Sequence, residues 1–153
     1  MKDKNENNII INDKPKISES LKKYYLAQAY VYEDLINSKL FDQIDWKNKV
    51  NNDEEGEEIS LLNQNKYKIK KTEFLYDIII TNNKNKNINI IVQVLNEKKD
   101  NLIKLKCDIN QWKLFNNEEK EQNMYIFALV KFGINYTPEI YYVKKSHLNE
   151  LFN

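Results

Sequence analysis

The residue with the clearest chemical potential is Asp77, a carboxylate inside the apolar run Phe74–Ile80. A buried, ionised carboxylate needs a hydrogen-bond partner, an opposite charge or a metal ion, because an unpaired charge away from water is costly. Asp77 could therefore hold a metal, accept hydrogen bonds from a neighbouring strand, or face water on a wet side of its strand. The residues alone leave these three alternatives open.

Nucleophilic and zinc chemistry have few residues to draw on, since the chain has one cysteine, Cys107, and one histidine, His147. Structural zinc sites take about four nitrogen or sulfur ligands, so a zinc site is excluded. Cys107 lies near Leu105 and Ile109 and is expected to be a small buried residue rather than a nucleophile. One cysteine cannot form an internal disulfide, which predicts a reducing, intracellular compartment.

Length and charge predict one domain without a general attraction to nucleic acid or membranes. The chain has 153 residues, 41% of them hydrophobic, and a net charge of +1. All 24 basic residues are lysine, as expected from an AT-rich genome, so planar bidentate recognition of phosphate or guanine is not available. No apolar run approaches the roughly 20 residues of a spanning helix, and the N-terminus lacks the apolar stretch of a signal peptide.

The first half of the chain predicts one helix between polar segments. Residues 1–16 are expected to form a flexible arm, with an N-cap at Ser18 or Ser20 starting a helix that runs to about Leu40. Its apolar stripe has helical spacing and comprises Leu21, Tyr25, Gln28, Tyr32 and Leu35. Residues 43–71 are polar, acidic and then basic, which predicts a long loop with at most a short strand near Tyr67–Ile69.

The second half is punctuated into strands and helices. Apolar runs predict buried strands at residues 74–80, 88–95, 124–130 and 139–143, and alternation predicts a strand with one wet face at 102–107. Helices are expected at about 110–117 and 146–152. The order is α-β-β-β-α-β-β-α, an α/β (α+β) domain over residues 17–153 with a mixed sheet of about five strands flanked by helices.

This order, with several short motifs, resembles the PD-(D/E)XK nucleases, whose restriction-endonuclease-like core has a helix, three meandering strands, a second helix and a further strand. The likeness is greatest to the C-terminal domain of NO VEIN-type proteins and covers roughly residues 20–145. The matching segments are Glu33, Ile44-Asp45-Trp46-Lys47-Asn48, Tyr76-Asp77-Ile78-Ile79, Ile90-Ile91-Val92-Gln93-Val94, Asn110-Gln111-Trp112 and Tyr125–Val130.

The resemblance implies a magnesium site with two departures from the family pattern. Asp77 stands at the first carboxylate, but Gln93-Val94-Leu95 replaces the Glu-x-Lys motif. Gln93 could ligate Mg²⁺ through its carbonyl oxygen, whereas Leu95 cannot orient water or offset charge. Glu33 would be the supporting helix carboxylate. A substitute lysine could come from Lys113, or the pair could shift to Glu97 and Lys99.

Three functions follow as hypotheses. The favoured one is a catalytically degenerate nuclease-fold module, a pseudo-nuclease that acts in protein assembly or nucleic-acid docking and needs no cofactor. The second is a Mg²⁺-dependent DNA or RNA endonuclease with a variant motif. The third is a structural subunit of a larger complex, suggested by ten tyrosines and the Ile9–Ile11 group. The lysines of residues 66–71 could contact phosphates, although the acidic residues 53–58 oppose this.

Overall fold

The computed structural model describes residues 19–81, 87–95 and 123–144, and the first element is the helix α1, Glu19–Ser38. The predicted helix is confirmed, with Ser20 in its first turn rather than at the cap; Ser18 lies outside the described residues. The helix ends at Ser38 because Lys39 adopts a left-handed backbone with φ 58°. The Ser38 hydroxyl donates to the carbonyl of Leu35 at 2.6 Å.

In the described part of the chain, eight strands follow the helix and form two sheets. In chain order they are β1 (Gln43–Trp46), β2 (Lys49–Val50), β3 (Glu57–Ser60), β4 (Lys66–Ile69), β5 (Ile78–Thr81), β6 (Asn87–Val94), β7 (Asn123–Phe132) and β8 (Pro138–Lys144). A small sheet has the order β2-β4-β3, and the main sheet has the order β1-β5-β6-β7-β8. The prediction of a mixed five-stranded sheet in an α+β protein is confirmed.

The main sheet contains an antiparallel meander followed by one parallel pair of strands. β1, β5 and β6 are antiparallel neighbours, β7 runs parallel to β6, and β8 returns antiparallel to β7. A parallel pair needs a long crossover connection, which here comprises residues 96–122. Those residues lie outside the described part of the chain, and so do the predicted strand at 102–107, both later helices and the arm at 1–16.

The prediction of a long loop at residues 43–71 was wrong where β1, β2 and β3 lie, whereas the short strand expected near Tyr67–Ile69 is confirmed as β4. Three of these strands bury a single residue each, Trp46, Ile59 and Ile69, between exposed or half-buried ones. One buried residue per strand gives too little hydrophobic periodicity to be recognised. The strand predicted at 74–80 begins later, at Ile78, after a bend at residues 75–77.

The core lies between α1 and one face of the main sheet, here called the inner face, and it extends to the small sheet. Ala27, Ala29 and Val31 of α1 are fully buried with residues from both sheets. On β6, Ile90 and Val92 point to the inner face, whereas Ile91 joins Tyr125, Phe127 and Leu129 on the outer face. The expectation that β6 is covered on both faces is confirmed.

Within the described residues no helix has both the length and the apolarity needed to cross a bilayer.

Candidate functional site

Asp77 lies in the bend immediately before β5, where the chain returns from the small sheet to the main sheet. Its backbone N–H donates to the carbonyl of Ile90 on β6 at 2.9 Å, and its carbonyl accepts from the N–H of Lys47 at 2.8 Å. The residue is 8% exposed. Both its backbone and its side chain are therefore enclosed by neighbouring elements.

The Asp77 carboxylate accepts hydrogen bonds from three donors of the protein itself. Oδ1 accepts from the Tyr24 hydroxyl at 2.6 Å and from Gln28 Nε2 at 3.3 Å, both on α1. Oδ2 accepts from the backbone N–H of Val92 at 2.7 Å. All three of these donors are neutral groups, so within the described part of the chain hydrogen bonds stabilise the charge of Asp77.

The bond to Val92 has a structural cause in the β5–β6 ladder. Ile78 pairs with Ile90, so a continued antiparallel ladder would place residue 76 opposite Val92. The bend carries the chain away at that point, and Tyr76 packs against the outer-face cluster. The Asp77 side chain thus replaces the missing strand as the acceptor for a buried N–H of the central strand.

A polar network continues from Asp77 through Gln28, which is completely buried. Gln28 Oε1 accepts from Trp46 Nε1 at 2.7 Å and from Asn48 Nδ2 at 2.9 Å. Asn48 Oδ1 in turn accepts from the backbone N–H and the hydroxyl of Thr72, at 3.1 and 2.7 Å. The network connects α1 to both sheets, and a satisfied buried network of this kind rigidifies a core.

Burial dominates the electrostatics of this site. It raises the pKa of Asp77 from 3.8 to about 6, although the hydrogen bonds from Tyr24 and Val92 act in the opposite direction. The pKa of Tyr24 is raised well above its usual range by burial and then by the negative charge of Asp77. Tyr24 therefore keeps its proton and donates a hydrogen bond to Asp77.

Gln93 and Leu95 lie on the opposite face of the sheet from the Asp77 carboxylate. Side chains alternate along a strand, and Ile90 and Val92 point to the inner face whereas Ile91 and Leu95 belong to the outer cluster. Gln93 shares the outer face by this alternation. The strand geometry therefore separates the two predicted metal ligands instead of bringing them together.

Glu33 is engaged elsewhere, by the turn between β3 and β4. Its carboxylate accepts from Asn63 Nδ2 at 2.9 Å, Asn65 Nδ2 at 2.6 Å and the Tyr67 hydroxyl at 2.6 Å. Burial alone would raise the pKa of Glu33, but these three hydrogen bonds outweigh it and lower the pKa. Glu33 fastens the small sheet to α1. The remaining candidates, Lys113, Glu97 and Lys99, lie outside the described residues.

The residues at this position do not fit Mg²⁺. The ion takes carboxylate oxygens with available lone pairs, whereas the oxygens of Asp77 already accept three hydrogen bonds from within the described residues. The described ranges also contain no group of three or more His, Cys, Asp or Glu residues arranged to hold a metal. The arrangement can hold a buried charge and cap a strand.

Sequence reasoning missed the partners of Asp77, although a signal was present. Gln28 is a polar residue within the apolar stripe of α1, four residues after Tyr24, and that spacing places the two side chains together on one helix face. A polar residue in a core stripe needs a buried partner. Trp46 is 3% exposed and also donates to Gln28 through its indole nitrogen.

Comparisons with known proteins found no match, either to a protein-family model, to a curated protein or to a solved structure.

Proposed function

We propose that this chain is a catalytically inactive module with a restriction-endonuclease-like core, and that it acts by binding other proteins. The observation that carries the proposal is the occupation of Asp77 by Tyr24, Gln28 and Val92. A carboxylate at the expected catalytic position serves as an internal cap, and Gln93, the second expected ligand, lies on the other face of the sheet.

The strand arrangement supports the nuclease-like part of the proposal. The resemblance implies a helix, three meandering strands and a further strand reached by a crossover. Here α1 precedes an antiparallel meander of β1, β5 and β6, and β7 then joins in parallel. Asp77 stands immediately before the second of these strands, Gln93 lies on the third, and Leu95 follows its last residue, Val94. The small sheet is an addition between the first two strands.

The charge distribution favours protein over nucleic acid as the partner. Glu58 lies directly opposite Lys68 in the small sheet, and its carboxylate is 3.7 Å from Lys66 Nζ. These two lysines of the basic segment at 66–71 therefore stand beside a carboxylate, which lowers the local positive charge that a phosphate backbone requires. The net charge of +1 supplies no wider field.

The experiment that tests the proposal measures both cleavage and metal binding. Plasmid DNA and a structured RNA are incubated with the protein in millimolar Mg²⁺ or Mn²⁺, and its melting temperature is recorded with and without the ions. We expect no cleavage above that of the Asp77→Asn variant and no metal-dependent rise in melting temperature. Cleavage that Asp77→Asn abolishes would establish the endonuclease alternative instead.

A gain-of-function variant sharpens this test. Gln93→Glu with Leu95→Lys restores the family motif in sequence, but both new side chains leave β6 on the outer face. We expect the double variant to remain inactive, because Asp77 stays on the inner side with its oxygens occupied. Mg²⁺-dependent cleavage by the double variant would show that the faces are not separated as described.

A further inference from the structure

The strand β8 forms one edge of the main sheet. It pairs with β7 on one side, and no strand of the described residues pairs with its other side. Tyr141 and Tyr142 are 48% and 42% exposed. The Tyr142 hydroxyl donates to Asp34 on α1 at 2.6 Å, which holds the middle of this edge in place. An edge of this kind offers its backbone N–H and C=O groups as a template for another strand.

The pairing of β7 shows which residues of β8 turn their backbone groups outward. The N–H of Leu95 donates to the carbonyl of Val130, so the even-numbered residues of β7 face β6. Because backbone groups alternate in direction along a strand, the odd-numbered residues of β7 face β8. Leu129 and Tyr141 are therefore a hydrogen-bonded pair. The residues of β8 that face outward are the even-numbered ones, Pro138, Ile140, Tyr142 and Lys144.

Pro138 restricts how a second β8 can pair with this edge. Proline has no N–H to donate, so an alignment that places Pro138 opposite another outward-facing residue loses a hydrogen bond. An antiparallel alignment centred on Tyr142 avoids this loss, because Tyr142 lies opposite itself, Ile140 lies opposite Lys144, and Pro138 lies outside the paired residues. A shift in the other direction would leave Ile140 without a partner in β8. The Tyr142-centred alignment therefore pairs the most residues of β8 without using proline.

The side chains that this alignment brings together are compatible. Tyr141 of each copy lies opposite Val143 of the other, and an aromatic residue opposite a β-branched one is a favourable cross-strand pair. Lys144 lies opposite Ile140, so the alignment does not set like charges directly against each other within β8. The net charge of +1 gives little repulsion between two copies of the chain.

We propose that the chain forms a two-fold symmetric dimer in which β8 pairs antiparallel with β8 of a second copy, centred on Tyr142. The main sheets, with five strands from each copy, then form one continuous sheet. A second copy fits this edge because an antiparallel edge is complementary to itself about a two-fold axis. A single strand pair is a small interface, so we expect dissociation in the micromolar range or weaker. The inference rests on the proposed function as a protein-binding module and names one protein that it binds.

The first test measures self-association of the full chain by sedimentation over micromolar to millimolar concentration. Tyr142→Pro and Tyr142→Thr both remove the ring and its bond to Asp34, but only Tyr142→Pro removes the outward N–H, a change that an edge strand tolerates. We expect Tyr142→Pro to weaken dimerisation at least about tenfold relative to Tyr142→Thr.

Circular dichroism checks that both variants fold. Should Tyr142→Pro fail to fold, Lys144→Pro against Lys144→Thr makes the same comparison at the end of the strand. A monomeric wild type, or equal dissociation constants for the proline and threonine variants, would overturn the proposal. Open-ended assemblies instead of a dimer would also overturn it, because they indicate that β8 pairs with a different edge.

Disulfide trapping tests the alignment. In a Cys107→Ala background, which removes the one cysteine of the chain, Tyr142→Cys places a thiol opposite itself. The Cα atoms of such a hydrogen-bonded pair are about 5.5 Å apart, within the range of a disulfide. Tyr141→Cys is the matched control, because position 141 is similarly exposed but lies opposite Val143. We expect a linked dimer from position 142 and much less from position 141. Equal linkage from both positions, or preferential linkage from position 141, would contradict the alignment.

Cleavage assays on the same preparations keep the two ideas separable. Nuclease activity lost on Asp77→Asn would refute the inactive module, whereas an inactive protein that stays monomeric would refute the dimer alone.

Discussion

At the scale of single residues, Asp77 carries a charge that its surroundings solvate incompletely. Tyr24, Gln28 and Val92 supply three hydrogen bonds, yet burial still raises its pKa to about 6. A carboxylate whose pKa is higher in the folded than in the unfolded protein favours folding when it is protonated. Because this pKa lies below neutral pH, the carboxylate is ionised at pH 7, where its oxygens accept from Val92 and from α1.

This predicts how stability depends on pH. The contribution of Asp77 is fully present below the unfolded pKa of 3.8 and is lost as pH rises through about 6. The free energy of unfolding of the wild type, relative to Asp77→Asn, should therefore fall between about pH 4 and about pH 7.5, by up to roughly 3 kcal/mol. Urea denaturation of both proteins measures this difference, because other titrating groups cancel. A difference that stays constant or rises would contradict the burial argument.

Gln28 supports a second prediction at this scale. Gln28→Leu keeps a similar volume but removes the acceptor for Trp46 and Asn48 and a donor to Asp77. Leaving these groups unpaired should lower the free energy of unfolding by roughly 3 kcal/mol or more. Leu35→Met, a buried and nearly volume-conserving change on the same helix, is the control and should cost less than about 1.5 kcal/mol. Similar losses for both would mean that the hydrogen bonds contribute little.

The residue scale was also where sequence reasoning was least complete. The apolar run around Asp77 indicated a buried carboxylate, and hydrogen bonding to a neighbouring strand was one of the alternatives left open. The sequence does not identify the residues that supply the donors, because Tyr24 and Gln28 lie 53 and 49 residues from Asp77 in the chain. Only the packing of α1 on the inner face brings them together.

At the scale of elements, strands of continuous apolar residues were predictable and short charged strands were not. β6 and β7 each bury consecutive residues, so their composition alone identifies them. β2 consists of Lys49 and Val50, and β4 carries two lysines in four residues. These strands are stabilised by pairing with each other and by single buried anchors, which are tertiary effects that local sequence does not carry.

The small sheet contains a close approach that gives an element-scale prediction. A Cβ atom added at Gly56 would lie 2.6 Å from the carbonyl oxygen of Ile69 and 3.1 Å from atoms of Lys68 and Val50. Gly56→Ala should therefore destabilise the fold by about 1–3 kcal/mol, because backbone must move.

Gly133→Ala is the matched control, since its added Cβ would be 3.6 Å from the nearest atom, the Thr137 carbonyl oxygen, at φ −88°. Thermal unfolding of both variants compares them directly. A Gly56→Ala protein as stable as Gly133→Ala would show that β3 can shift away from β4 at little cost.

At the scale of the whole molecule, opposite charges are interspersed rather than separated. The chain has 24 basic and 23 acidic residues, and the register of β3 and β4 sets Glu58 against Lys68. The long-range field is consequently weak, and association with a partner depends on contact surfaces more than on steering. Composition made this overall balance predictable, whereas the local pairing required the strand register.

We accordingly predict that the protein does not shift a DNA duplex or an RNA hairpin in gel electrophoresis at micromolar concentration and about 0.15 M salt. Glu58→Lys is the informative comparison, because it removes the carboxylate beside Lys66 and adds a positive charge. This variant should acquire weak binding that disappears as salt is raised. Binding by the wild type at that salt concentration would favour nucleic-acid docking over protein assembly.

The joining of β1 to β5 has a consequence for how the chain closes on itself. Trp46 and Ile78 are direct partners in the main sheet. Residues 47–77 therefore form an excursion that leaves the main sheet and returns to it at the same point. The entropy lost in closing such an excursion grows only slowly with its length. Contacts between the two ends of the excursion offset this loss. The backbone N–H of Lys47 donates to the Asp77 carbonyl. Gln28 bonds to Trp46 and Asn48, where the chain leaves the main sheet, and to Asp77, where it returns. Asp77, expected to hold the metal of a nuclease site, thus ties the two ends of this excursion together. Residues 47–77 are therefore tied at both ends, and within them Ile59, Leu61 and Ile69 must still pack in the core.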